Sequence, residues 1–217
     1  MMRSPFVVSF EQLPERLPIF PLPGVIVMPG GELPLNIFEP RYLNMVGDSL
    51  STHRMIGMIQ PDPAARDETG LCRTGCAGRI TQYRETADGR IEMVLLGVCR
   101  YDLGEEFPTT RGYRLIAPDW SRFRDDYAEH NHVLRDQQGL LIRTLKRYFE
   151  AKQLKVDWNM LEGFPTVGLV NSLGMALPLS EQHKQALLET VDSAERLHIF
   201  TEMLDSELRP PGSVTRH

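Results

Sequence analysis

Proline and glycine recur so often in the first 120 residues that the apolar runs between them are short. A chain broken this way folds into small strands and tight turns rather than long helices. VIVM at 25–28 runs into Pro29-Gly30-Gly31, and LPLNIF at 33–38 and MIGMI at 55–59 follow. The runs at 76–83 and 91–98 flank Ala87-Asp88-Gly89-Arg90. Asp-Gly between two strand-like runs is a strong hairpin signal. A further strand is expected at 113–117. Short strands at this spacing predict a small, mostly antiparallel barrel.

One helix is expected within that sheet. Pro40 suits a first helical position, where a missing N–H costs nothing. Phe38 and Leu43 then stand where a hydrophobic staple would hold the helix entry. Leu43, Val46 and Leu50 form its apolar stripe. Glu39 lies by the positive end of the helix dipole. The charged Glu39-Pro40-Arg41 step therefore reads as a strand-to-helix corner.

After about residue 120 the apolar period becomes helical. Tyr127, Leu134, Leu141 and Tyr148 fall seven apart, predicting a helix over 125–153, on the order of 40 Å long. A second helix is expected over 164–176, weakened by Gly168 and Gly174. Pro178 and Ser180 would stop it and cap a third, with Leu187, Leu188 and Val191 as its apolar face. Asp192 and Glu195 give a capping-box-like start to a last helix carrying Leu197, Phe200, Met203 and Leu204. The tail at 209–217 contains Pro-Pro-Gly and is expected to fray. This divides the chain into a barrel unit, 1–120, and a helical unit, 121–217.

At 217 residues with 41% hydrophobic and 24% charged side chains, the composition is that of an ordinary globular chain. A net charge of −5 lacks the footprint of a nucleic-acid binder. No apolar run is long enough to span a bilayer, and the first residues lack a secretory core, so a cytoplasmic protein is expected. The lysines are Lys146, Lys152, Lys155 and Lys184, and none completes a phosphate loop, which excludes a P-loop ATPase. No cofactor motif is found.

Candidate chemistry is sparse. Cys72 and Cys76 form C-x-x-x-C with Cys99 elsewhere, and zinc would need a second pair or His53, His130 and His132 brought in by the fold. The reading favours structural cysteines and no metal, with a Cys72–Cys76 redox pair left open. There is no G-x-S-x-G elbow, and the Glu105-Glu106 and Asp125-Asp126 pairs read as solvated charge. No catalytic residue is assigned. Arg41 and Tyr42, with Phe20 and Phe38, could line a groove for an apolar peptide, since aromatics and arginine anchor such contacts. The competing reading, which the staple favours, puts both phenylalanines in the core and Arg41 on Glu39 or a carbonyl.

The run LPIFPLPGVIVMPGGELPLNIFEPRY at 17–42 resembles the opening of the Lon N-terminal, substrate-binding domain, above all its stand-alone bacterial form. MIGMIQP at 55–61, GCAGRI at 75–80, DGR at 88–90, LLGVCRY at 95–101 and ALPLSEQHKQALLETVDSAERL at 176–197 agree with it. The resemblance implies an α+β fold, a PUA-like pseudo-barrel followed by a helical bundle. In Lon that region helps select unfolded or tagged substrates, and in cereblon a similar domain is a scaffold. It implies a non-catalytic module for exposed segments of client polypeptides, as adaptor to a protease partner or as holdase. The binding place would be an unpaired barrel edge or the barrel–bundle cleft. The alternative is an RNA-binding PUA-like domain, which would need Arg73, Arg79, Arg84 and Arg90 on one face. A small enzyme would need a concave pocket with converging polar groups.

Overall fold

A computed structural model describes residues 8–65, 69–127 and 135–208. The first part is a mixed seven-stranded sheet: β1 Leu17–Pro21, β2 Glu32–Ile37, β3 Met55–Ile59, β4 Thr74–Glu85, β5 Ile91–Asp102, β6 Glu106–Phe107 and β7 Arg114–Ile116. Their order is β2-β5-β4-β3-β1-β7-β6. Only the β1–β3 pairing is parallel among those described. Helices follow: α2 Arg135–Ala151, α3 Trp158–Glu162, α4 Thr166–Ala176, α5 Glu181–Glu189 and α6 Ser193–Glu207. Sheet first and bundle after is the α+β class expected from the sequence.

Alternation along the strands gives the sheet two apolar faces. Phe20, Ile56, Met58, Cys76, Met93 and Leu95 face α1, Pro40–Leu50, which lays Tyr42, Met45 and Val46 on them. Leu17, Ile19, Met55, Ile59, Cys99 and Tyr101 face the other way, onto Leu13 and Phe123. Leu95 and Cys99 share a parity in β5 yet point to opposite faces, because the β4–β5 register shifts between Ala77 and Gly78. That bulge turns the strand over. At the same place Gly97 exchanges backbone hydrogen bonds with Gly30 and Gly31 (2.9 and 2.8 Å), so residues 25–28 pass over β5, with 26–28 buried, without joining a ladder. The expected strand there is a buried extended segment instead.

Tyr101 lies across two bare strands. A Cβ on Gly75 would stand 2.5 Å from the Tyr101 hydroxyl and 2.6 Å from the Met58 carbonyl oxygen, and one on Gly57 would stand 2.6 Å from the hydroxyl. The two glycines form the slot that lets a fully buried tyrosine fit, its hydroxyl donating to Met58 O at 3.4 Å.

Helix boundaries follow local chemistry. Pro40 opens α1 after Glu39, and the Ser180 and Asp192 side chains accept the amides of His183 (3.1 Å) and Glu195 (2.8 Å). The buried stripe of α1 is Tyr42, Met45, Val46 and Ser49, with Leu43 and Leu50 at its margins, so the helix is rotated from the expected stripe. The long helix expected over 125–153 is shorter: residues 121–127 form a 3-10 segment broken at Phe123, and α2 begins at Arg135. Leu134 lies outside the described residues. Tyr127 belongs to the sheet side, its ring edge-on to Phe10 at 5.7 Å. Gln153 ends α2 in the left-handed conformation (φ 55°), with Leu154 N–H bonding Phe149 O at 2.8 Å and Gln153 N–H bonding Glu150 O at 3.1 Å. This is a Schellman stop made without glycine.

The helical part is fastened to the sheet by buried cations. Arg100 on β5, 1% exposed, holds the Asp126 carboxylate at 2.6 Å and donates to the carbonyls of Leu188 (3.1 Å) and Thr190 (2.6 Å). Arg196 donates to Thr190 O and Val191 O (both 3.1 Å) and to Asn171 Oδ1 (3.0 Å), while Asn171 donates to Pro29 O (3.0 Å). Burial, and then the neighbouring Arg100, lower the Arg196 pKa to about 10, so it stays cationic at neutral pH. Two guanidinium groups thereby satisfy the carbonyls that α5 leaves at its C-terminal end. Asp126, expected as solvated charge, has a side chain only 5% exposed.

Gly75→Ala should lower stability by about 1–3 kcal/mol, because the added methyl meets backbone and a locked ring. Gly47→Ala in α1, where a Cβ meets nothing within 4 Å, should raise it by up to about 1 kcal/mol. Urea unfolding of the two variants checks both signs. Arg100→Ala strands the Asp126 carboxylate and Leu188 O and should cost about 3–5 kcal/mol by the same measurement.

Candidate functional site

The four residues singled out in the sequence split between inside and outside. Phe20 and Tyr42 are core, their rings 4.2 Å apart between centroids and tilted by 42°. Arg41 is exposed, lies 4.5 Å over the outer side of Tyr42 and pairs with Glu39 at 2.9 Å. Burial raises the Tyr42 pKa, with the Arg41 charge opposing it. Phe38 is not core: it is 61% exposed, under the Arg90 guanidinium at 5.6 Å. Leu33, Leu35 and Ile37 of β2 face the core, so the pleat turns the next side chain outward, and the corner ends before a staple can fold it back.

Phe38 stands at the free end of the β4–β5 hairpin. Pairing runs Leu35↔Met93↔Tyr83 and Ile37↔Ile91↔Glu85, so the corner after Ile37 falls level with Arg90. The hairpin outruns the core, since residues 81–85 are all exposed. Tyr83 on it is 52% exposed, roughly 14 Å from Phe38 by strand geometry. Between β2, β5 and β4 runs a shallow groove of about 540 Å³ whose lining includes Pro34, Leu35, Tyr83, Met93 and Val94. Arg84 pairs with Glu92 at 2.5 Å and Arg90 with Asp88 at 2.9 Å, so the surface is nearly neutral. Exposed aromatics beside guanidinium groups on a firm sheet can hold apolar side chains of another chain by area and by cation–π contact. The sequence reading missed Tyr83. Its signal is a hairpin whose strands continue past the last core residue.

The two places expected to bind a client offer less. Both sheet ends are blunted: β2 contains Pro34, which has no N–H, and β6 has two residues before Pro108. The seam between sheet and helices is occupied by Leu188, Met175 and the Arg100 network, and the open depression of about 750 Å³ beside it is lined by Asp125, Glu189, Asp192 and Glu195 together with Ala186 and Val191, so four acids flank what apolar surface it has.

The cysteines lie in separate settings. Cys76 and Cys99 are buried on opposite faces of the sheet, while Cys72 is half-buried before β4, and all three are free thiols. Among the described residues no three His, Cys, Asp or Glu side chains gather as metal ligands, and His130 and His132 fall outside them. His53 Nδ1 accepts the Met55 amide at 3.1 Å, and burial lowers its pKa. No described helix is long and apolar enough to cross a membrane.

The fold is a sheet-plus-bundle domain, and comparison gives its kinship. Residues 16–206 match the family described as the ATP-dependent protease La (LON) substrate-binding domain. The chain belongs to that family, which is the substrate-binding and not the proteolytic part of Lon. Lon protease 2 of Myxococcus xanthus is 25% identical over 219 residues, covering 94% of this chain and 25% of that protein. Lon protease of Escherichia coli K12 is 24% identical over 216 residues, covering 90% and 26%. The chain thus spans about a quarter of the length of the curated relatives it matches. Among solved structures, a Lon N-terminal domain protein from Xanthomonas campestris is similar with a TM-score of 0.62 and 26% identity, over 84% of this chain and 95% of that one. The N-terminal domain of Mycobacterium avium complex Lon protease shares the fold, with a TM-score of 0.65 at 18% identity, over 89% and 100%.

Burial, and then the charges of Asp62, Glu189 and Glu181, push the Cys72 thiol up to about 11. Its alkylation by iodoacetamide should therefore climb about tenfold per pH unit from pH ~8 to ~10 without levelling, where an ordinary thiol levels near pH ~9. Burial raises Cys76 and Cys99 further, and both should react only on unfolding.

Proposed function

We propose that this chain is a non-catalytic polypeptide-binding module of the cytoplasm. It takes exposed or unfolded segments of client proteins, as an adaptor to a protease partner or as a holdase. Membership of the Lon substrate-binding family over residues 16–206 carries the reading. The hairpin end would supply the surface: Phe38 and Tyr83 are exposed large aromatics, set by the pleat on opposite sides of the sheet, and Arg90 lies over Phe38. Phe20 and Tyr42, buried between β1 and α1, are then core rather than contacts. Residues 1–120 and 121–217 are then two units held in one arrangement, because Arg100 bonds Leu188 and Thr190 of the second and Asn171 of the second bonds Pro29 of the first.

RNA binding has no specific observation in its favour. Arg73, Arg84 and Arg90 each sit on a carboxylate, Asp102, Glu92 and Asp88, so the arginines that could form a basic face are largely neutralised.

The test is a titration with a permanently unfolded, cysteine-blocked client protein carrying a fluorescent label. Phe38→Ala and Tyr83→Ala should each weaken binding by about fivefold to thirtyfold, a loss of ~1–2 kcal/mol per anchor, with the Tm unchanged. Saturable client binding that is indifferent to both variants would move the site elsewhere, and no binding at all would end the reading.

A further inference from the structure

The outer face of the bundle carries a second surface, of different chemistry from the hairpin end. Helix α2 buries Leu141, Leu145, Tyr148 and Phe149 and turns Leu140, Arg143, Lys146 and Arg147 outward. The α3 segment runs back along one flank of α2: Trp158 lies 5.7 Å from Phe149, Lys146 sits over the Trp158 ring at 5.4 Å, and the Gln138 side chain donates to Phe164 O at 3.2 Å. Phe164 is thereby brought beside the start of α2, two residues from Leu140. These two side chains are 41% and 54% exposed, and Leu154 projects at the far end, about 20 Å along the helix.

Charge on this face runs against the rest of the protein. The chain carries −5 overall, yet three of its four lysines stand at 146, 152 and 155, beside Arg143 and Arg147. Arg147 and Lys152 bridge to Asp205 and Glu207 of α6 at 3.0 and 3.2 Å. Among the described residues Arg143 and Lys155 make no ion pair. The result is a strip with a cationic excess and large apolar side chains at its ends, interrupted by Glu150 of α2 itself and by Asp205 and Glu207 of α6.

We infer that this strip docks an acidic segment of another protein, one that sets large apolar side chains among Asp and Glu residues. Charge complementarity selects the sign of the partner, and the apolar ends select its class. Leu140 and Leu154 offer nothing to a phosphate backbone. Asp205 and Glu207 would repel a flat anionic membrane, whereas separate acidic side chains can be placed between them. A helix of about 14 residues spans the strip from Leu140 to Leu154. The inference does not rest on client binding at the hairpin end.

The experiment uses the full chain and a fluorescein-labelled peptide of about 16 residues, with Leu at helical spacing and Glu or Asp elsewhere. Fluorescence anisotropy should show saturable binding that weakens about tenfold between ~50 and ~300 mM salt. Arg143→Glu and Lys155→Glu should each weaken it several-fold, and Leu140→Gln likewise, with the Tm unchanged. Phe38→Ala should leave it unaltered. An analogue with Gln at every acidic position that binds equally well overturns the inference. So does indifference to Arg143→Glu and Lys155→Glu, or binding of poly(U) RNA or phosphatidylserine vesicles where the acidic peptide does not bind.

Discussion

Arg100 occupies a place where the pattern of β5 calls for an apolar residue, and it meets Asp126 and the last carbonyls of α5 in one buried cluster. An ion pair of this kind is weak evidence for extra stability, because taking both charges out of water offsets much of their attraction. Its consequence here is geometric. A leucine at 100 could fill the space, yet it would take the guanidinium donor from Leu188 O, leave Thr190 O and Val191 O to Arg196 alone, and remove the tie from β5 to the end of α5. The planar guanidinium has donors on several sides, and each side is used: the 3-10 segment through Asp126, α5 through Leu188 and Thr190, and the ring of Phe123 at 4.6 Å below. Arg196 repeats the device from the opposite side. The bundle is positioned by hydrogen-bond direction as well as by apolar area.

A seam closed this way shapes where other chains can bind. A cleft that opened on binding would have to part Arg100 from the Leu188 and Thr190 carbonyls in a low-dielectric interior, at a cost of several kcal/mol. Binding is cheaper where the fold already presents apolar surface to water. The hairpin end does so because β4 and β5 extend beyond the layer that covers them, and because the Phe38 corner points away from α1. Pro34 on the neighbouring edge strand discourages uncontrolled strand pairing at the same place. The groove is shallow and lined by side chains of mixed size, which suits a surface that accepts many sequences rather than one.

Much of this architecture was legible from local rules. MIGMI at 55–59 is a strand over those residues, Asp88-Gly89 turns a hairpin, and Pro40, Ser180 and Asp192 open helices. These features depend on a few neighbouring residues, so the sequence carries them directly. What it concealed depends on distant partners. Phe38 occupies a staple position but is turned outward by the pleat of β2. Asp126 looks like solvent-facing charge until a β5 arginine 26 positions away claims it. Tyr127 keeps the heptad spacing of α2 by coincidence, because its ring is held by Phe10 on the sheet side. The turned face of β5 follows from one register shift, which no periodicity count anticipates.

The same dependence on distant partners separates the two surfaces. At the hairpin end each guanidinium already holds a carboxylate close in sequence: Arg41 with Glu39, Arg90 with Asp88, Arg84 with Glu92. Attraction proposed there would rest on aromatic area and on the faces the guanidinium groups still offer, so it would be short in range and tolerant of sequence. On α2 the cations gather because helical spacing puts Arg143, Lys146 and Arg147 on one side with Glu150 among them, and α6 pairs with Arg147 and Lys152. Attraction proposed there would be longer in range and selective for sign. A seam that holds sheet and bundle in one orientation also fixes the relation between these surfaces, so a partner on α2 and a segment at the hairpin would meet the protein in a set geometry.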